Sequence, residues 1–235
     1  MGLGTLLSAA LVLVLPGPAG AGEHRRELLG YSVQGRPIRV HHLGNFASPR
    51  RILVVGCIHG NECAGVTVTR RLVRGRRPRR TDLWVMHTAN PDGRELGVRQ
   101  NARGVDLNRN FRSRWIPIGK RWDPYYSGPR PWSEPETRLA RDLIRRIRPD
   151  VTIWYHQPQA LVRAWGRSRR MARRYARLAR EPYRSLRWPH GSAPNWQNRH
   201  FRRGSSFVVE FAAGPLSDAA ASRHARAVRR LLVRR

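Results

Sequence analysis

Runs of strand length, rich in β-branched residues and separated by helical stretches, limit the fold more than any other feature of the sequence. Arg51-Ile52-Leu53-Val54-Val55 leads into Gly56-Cys57-Ile58-His59-Gly60-Asn61-Glu62-Cys63, and residues 64–72 can continue as a helix. Leu83-Trp84-Val85-Met86-His87 is a second strand, closed by the turn chemistry of Asn90-Pro91-Asp92-Gly93. Val151-Thr152-Ile153-Trp154-Tyr155 runs into His156-Gln157-Pro158, and Ser206-Phe207-Val208-Val209-Glu210-Phe211 is a last core strand. Such alternation predicts an α/β fold, in which ligands bind outside the carboxyl ends of the strands. Both His59 and His156 stand at such ends.

The connecting elements are equally readable. Ser32-Val33 and Ile38-Arg39-Val40 flank a Gln-Gly-Arg-Pro turn, which predicts an edge hairpin. Ser133-Glu134-Pro135-Glu136 has the form of a capping box, followed by an apolar stripe of Leu139, Leu143, Ile144 and Ile147. Residues 167–180 form a basic helix with Met171, Tyr175 and Leu178 inward, and residues 217–233 a closing helix. Residues 94–130 lack periodicity, and residues 188–201 read as a loop holding Gly191-Ser192-Ala193-Pro194-Asn195-Trp196. A long irregular segment that still contains Val105, Leu107 and Phe111 is expected to be ordered and functional.

His59 and Glu62, three apart in a glycine-containing loop, offer an imidazole and a carboxylate, two of the three protein ligands of a catalytic zinc site. His156 has the matching position on its own strand and is the best third ligand; His87 reads as an ordinary strand residue. Glu210, a carboxylate in an apolar run, is either a paired structural ion or a general base.

At 235 residues and 40% hydrophobic content the chain is sized for one domain with a real core. Its net charge of +31 is almost all arginine, Lys120 being the only lysine. That charge favours polyanionic surroundings, anionic cell-wall polymers among them, while nothing points to specific nucleic-acid recognition. In residues 1–21, a short apolar core, Pro16-Gly17-Pro18 and the small-x-small sequence Ala19-Gly20-Ala21 read as a secretory signal cleaved after Ala21. No basic residue precedes that core, so an uncleaved anchor or an earlier start is the alternative. Export would take Cys57 and Cys63 to an oxidising compartment, where either a disulfide across the His59 loop or two buried thiols is compatible with the sequence.

Taken in order, His59-x-x-Glu62, Asn90-Pro91-Asp92-Gly93, Gly104-Val105-Asp106-Leu107-Asn108-Arg109-Asn110, Ser133-Glu134-Pro135-Glu136, His156 and Val209-Glu210 resemble the zinc carboxypeptidases of the carboxypeptidase A superfamily. The compact length and the opening Ser-Val-Gln-Gly-Arg-Pro-Ile are most like bacterial members, which include the murein peptide amidases. The resemblance implies a mixed, mostly parallel twisted sheet with helices on both faces, formed by residues 22–235 as a single catalytic domain. It implies one Zn2+ held by His59, Glu62 and His156, with Asp106 bonded to the first histidine. It implies a carboxylate clamp at Asn108 and Arg109, a carbonyl-polarising arginine at Arg99 rather than Arg103, and Glu210 as the catalytic carboxylate. Two positions depart from the family pattern. Trp188 or Pro189 stands where a mobile tyrosine is expected, and the specificity position falls on Ala193 or Pro194, neither charged, which argues against a pocket for charged side chains. The expected activity is hydrolysis beside a free C-terminal carboxylate by a monomer, on peptidoglycan-derived peptides. Alternatives are a general digestive carboxypeptidase and a basic wall-binding protein with a vestigial site.

Overall fold

A computed structural model describes residues 23–233; the predicted signal segment lies outside the described residues. Nine residues, β1 (Glu23–Tyr31), turn back into β2 (Pro37–Gly44) as the edge hairpin. The buried run β3 (Arg51–Val55) follows, then α1 (Gly65–Arg74), β4 (Asp82–Met86) and the short α2 (Pro91–Leu96). After the long irregular segment, broken only by one 3-10 turn at Leu107–Arg109, come α3 (Pro135–Ile147), β5 (Val151–His156) and β6 (Gln159–Ala164). The chain ends in α4 (Arg169–Ala179), β7 (Tyr183–Ser185), α5 (Ala193–His200), β8 (Ser205–Ala212) and α6 (Asp218–Arg230).

These strands form one eight-stranded sheet in the order β1-β2-β4-β3-β5-β8-β6-β7. The central strands β4, β3, β5 and β8 are parallel, as are β6 and β7, whereas β2 and β6 join their neighbours β4 and β8 antiparallel. Strands covered on both faces must be apolar on both, and every residue of β4 and β5 is buried. One face packs on α1, α4 and α6 through Val68, Leu72, Ala172, Tyr175, Ala225 and Val228. The other packs on α3 and α5 through Ala140, Leu143, Ile144 and Trp196. Full burial of one such Leu or Ile side chain stabilises by about 1.5–3 kcal/mol. The expected α/β layering with helices on both faces is therefore what forms.

Three local expectations are corrected. Asn90-Pro91-Asp92-Gly93 is the start of α2, not a turn: Asn90 accepts the Gly93 N–H at 2.9 Å and Pro91 occupies the first turn. The capping box at α3 does not close, because Glu136 instead accepts from the Val33 N–H and from Asn101 Nδ2, at 3.0 and 3.1 Å. Residues 193–200 of the expected loop are helical, with Pro194 in the first turn and Trp196 buried. The irregular segment is ordered, as expected. Asn101 ties it to Glu134 and Glu136, Asn110 ties it to Ser127 and Ser133, and Phe111 packs edge-on to Trp132 and Trp154.

Candidate metal centre and active site

β3 and β5 are parallel neighbours, so the loops leaving their carboxyl ends emerge side by side. That brings His59 and Glu62 to His156 across almost a hundred residues of sequence. Glu62 Oε2 lies 3.0 Å from His59 Nδ1 and 2.9 Å from His156 Nδ1, and the two Nδ1 atoms are 3.1 Å apart. Cys57 and Cys63 are joined as a disulfide that closes the loop around both first-loop residues. Of the two states compatible with the sequence, the bridged one is present.

The donor set suits a zinc ion. His59 turns its Nε2 to Asp106 Oδ1 at 2.9 Å, which holds the proton on that nitrogen and leaves Nδ1 free to coordinate. Burial would lower the His59 pKa, but the Asp106 charge and the hydrogen bonds to Asp106 and Glu62 outweigh it, and the net shift is upward. Burial likewise opposes ionisation of Glu62 and Asp106, yet the histidines around Glu62, and His59 with two arginines around Asp106, hold both carboxyls well below the usual range. Burial keeps the His156 pKa low, which favours the neutral ring a metal requires. These three side chains are the one group able to hold a metal ion among the described residues.

The remaining expected residues border the same cavity, of about 180 Å³. β8 lies beside β5 with Glu210 in register with His156. The Glu210 side chain is buried, and its Oε2 has no hydrogen-bond partner. Arg99 borders the cavity, bonded to Glu62 and, at 2.9 and 3.0 Å, to Asp106. Arg103, the other candidate, faces away, its nearest carboxylate contact being Glu134 at 3.8 Å. Asn108 accepts the Ala193 N–H through Oδ1, which aims its Nδ2 toward His156, 3.4 Å away. Arg109 packs over Tyr125 and bonds the Asn108 carbonyl oxygen at 2.9 Å. Gly191, at φ +66°, lies against the Arg109 backbone, where a Cβ would overlap it.

Trp188, Pro189 and Pro194 line the cavity, while Ala193 is buried behind it. Sequence reasoning missed further lining residues, Tyr125 and Arg163 among them. The Tyr125 ring sits under the guanidinium groups of Arg99 and Arg109, at 5.3 and 5.1 Å. Arg163 lies on β6, a strand not recognised from the sequence, and adds a third guanidinium to the cavity lining. His87 is no ligand: its ring bonds Thr69 Oγ1 at 2.8 Å.

The profile of the family described as zinc carboxypeptidase matches residues 24–203. The chain belongs to that family. Murein peptide amidase A of Escherichia coli K12 is 33% identical over 156 residues, and the matched stretch spans 62% of this chain and 62% of that protein. Carboxypeptidase B of Astacus astacus is 26% identical over 60% of this chain and 56% of its own length. The crystal structure of a murein-tripeptide amidase from Escherichia coli O157 superposes with a TM-score of 0.72 at 30% identity, covering 91% of this chain and 94% of that one. A carboxypeptidase A from Helicoverpa armigera shares the fold, with a TM-score of 0.73 at 18% identity, over 87% of this chain and 66% of its own. The profile match stops short of β8, so Glu210 joins the site through strand pairing.

Proposed function

We propose that the chain is a zinc-dependent peptidase that hydrolyses an amide bond next to a free C-terminal carboxylate, with peptidoglycan-derived peptides as substrate. The observation that carries this is the convergence of His59 Nδ1 and His156 Nδ1 on one Glu62 oxygen, at the mouth of a cavity that also holds Glu210 and Arg109. His59, Glu62 and His156 would hold one zinc ion per chain. When bound, the ion supplies a Lewis acid that acidifies a water molecule and offsets the charge developing on the scissile carbonyl oxygen.

The chain's own groups then divide the work. Glu210, with a carboxylate oxygen free of partners, takes the proton of the attacking water and returns it to the leaving amine. Arg99 presents N–H donors where negative charge grows, and Asp106 keeps His59 oriented. Asn108 and Arg109 grip the substrate's terminal carboxylate, which sets the bond to be cut at one residue from the end. All these residues come from one chain, which suits a monomer. The peptidoglycan assignment draws on the amidase relatives; the weaker similarity to carboxypeptidase B supports general protein digestion as the competing substrate class. A disulfide beside the site supports an oxidising, extracytoplasmic location, consistent with cleavage of a signal near Ala21.

Metal analysis of the purified protein should give one zinc per chain, and His156→Ala should lose it; full occupancy in that variant would remove His156 from the site. Parallel incubation with muropeptides, with N-blocked dipeptides and with their C-terminal amides tests the reaction. Equal cleavage of acid and amide would exclude a carboxypeptidase, and cleavage of dipeptides alone would favour the digestive role.

A further inference from the structure

β6 runs antiparallel to β8, with Leu161 opposite Glu210 and Arg163 opposite Val208. Residues opposite each other in such a ladder share a face of the sheet, so Arg163 projects from the same face as Glu210 and enters the same cavity. Its guanidinium carbon lies 5.8 Å from the centre of the Trp188 ring, and Nη2 donates to the Arg187 carbonyl oxygen at 3.1 Å. Its Nε is buried and has no hydrogen-bond partner.

The other two arginines of the cavity differ in this respect. Arg99 is paired with Glu62 and Asp106, and Arg109 stands 3.8 Å from Asp106. Arg163 makes no ion pair with a carboxylate of the described residues, and Glu210, the nearest acidic group on its face, is not hydrogen-bonded to it. The Arg163 guanidinium is only partly withdrawn from water, and burial outweighs the attraction of Glu210, the one favourable charge acting on it, so a further negative charge would stabilise it. Glu210 is a poor candidate for closer pairing, because a carboxylate locked to arginine loses its affinity for a proton.

We propose that Arg163 receives a second carboxylate, carried on the side chain of the substrate's C-terminal residue, and thereby selects terminal residues that are dicarboxylic. This rests on the proposed function, in which Arg109 holds the backbone carboxylate. With Arg109 and Arg163 both bordering one cavity of about 180 Å³, a single small residue bearing two carboxylates satisfies both cations. Glutamate, aspartate and longer amino acids with a distal carboxylate meet that requirement, whereas lysine is repelled and leucine leaves Arg163 unpaired.

The test compares N-blocked dipeptides ending in Glu, Gln, Leu and Lys, using the zinc-loaded parent protein, Arg163→Met and Arg163→Lys. The expected result is a Glu-over-Gln preference in kcat/KM of at least about tenfold, as loss of a charge-assisted hydrogen bond predicts. That ratio should collapse toward one in Arg163→Met and be partly kept in Arg163→Lys. A parent that cleaves all four peptides equally overturns the proposal while leaving the peptidase assignment standing. A fall in Arg163→Met that is equal for every peptide also overturns it, since it marks a structural role. If no free-acid peptide is cleaved, the proposed function fails, and binding of the free amino acids decides the selectivity by itself. Glutamate should then quench Trp188 fluorescence at concentrations at least about tenfold below glutamine, with the difference lost in Arg163→Met; equal binding overturns the proposal.

Discussion

Glu210 and Arg109 touch different parts of the substrate, and their removal should separate chemistry from binding. Glu210→Gln keeps the shape of the side chain but cannot accept a proton, so kcat should fall on the order of 10²-fold or more with KM nearly unchanged. Arg109→Ala removes a grip felt in the ground state, costing about 1.5–3 kcal/mol of binding, and should raise KM only for substrates with a free carboxylate. Steady-state kinetics of both variants on an acid and its amide check this; an unchanged kcat in Glu210→Gln would take that residue out of the mechanism. His59, Glu62 and His156 were legible in the sequence because each follows an apolar run that ends at the same edge of the sheet. Glu210 was legible as a charge where none is expected. Arg163 was not, since one arginine among so many carries no signal until the pairing of β6 with β8 shows which face it occupies.

Among elements, the parallel strands and most helices could be read because burial on both faces leaves unbroken apolar runs and an amphipathic helix leaves a stripe. β6, β7 and α5 could not. β6 opens with exposed residues, β7 has three residues, and α5 begins among turn-formers. The turn before α5 nevertheless fixes the clamp. Gly191→Ala forces a φ of +66° on a residue with a Cβ and drives that atom into the Arg109 backbone. A left-handed conformation alone costs roughly 1–2 kcal/mol. Stability should drop by at least that amount in urea titration, and KM should rise as it does in Arg109→Ala; a variant with parental KM would mean that Gly191 does not position the clamp. On the opposite face of the sheet, Tyr155, Tyr175 and His224 form a buried hydrogen-bonded chain that ends on Glu181. Burial pulls the His224 pKa down to about 4, with Glu181 opposing and Arg223 adding a small push. An unfolded chain binds that proton near 6.5, so the His224 contribution is complete above about pH 6.5 and is lost as pH falls toward 4, by up to roughly 3 kcal/mol. Urea midpoints at about pH 7.5 and about pH 5 should differ less in His224→Gln than in the parent. An equal difference would assign the pH dependence to other groups.

At the scale of the whole molecule, composition predicted the surface and the sequence order of motifs predicted the domain. Where the charge gathers required the fold. A depression of about 710 Å³ over α4 and β7 is lined by Arg167, Arg169, Arg170, Arg173, Arg177 and Arg180. A second, with Arg50, Arg174 and Arg203, sits at the amino ends of β3 and β8, opposite the metal centre. Binding to an anionic polymer such as heparin should therefore fall steeply with added salt through counterion release, while turnover of a small substrate changes much less. Equal salt dependence of both would place the charge in the site. Metal should also act on the whole fold, because ligands from residues 59, 62 and 156 bind an ion only when folded. Chelation should lower Tm and added zinc restore it, by RT ln(1 + [Zn]/Kd), and a Tm indifferent to chelator would argue against a folded-state zinc site.

Strand order also sets the moment at which the protein gains its chemistry. β8 is the last strand in chain order among the described residues, yet it lies between β5 and β6, both of which precede it. Until residues 205–212 have left the ribosome, β5 and β6 have nothing between them, and Glu210 is missing from the mouth they frame. A chain in which β8 has not yet paired lacks the base with which to cut, so with Glu210 in that role the site gains its chemistry only in the step that inserts β8 and closes the sheet.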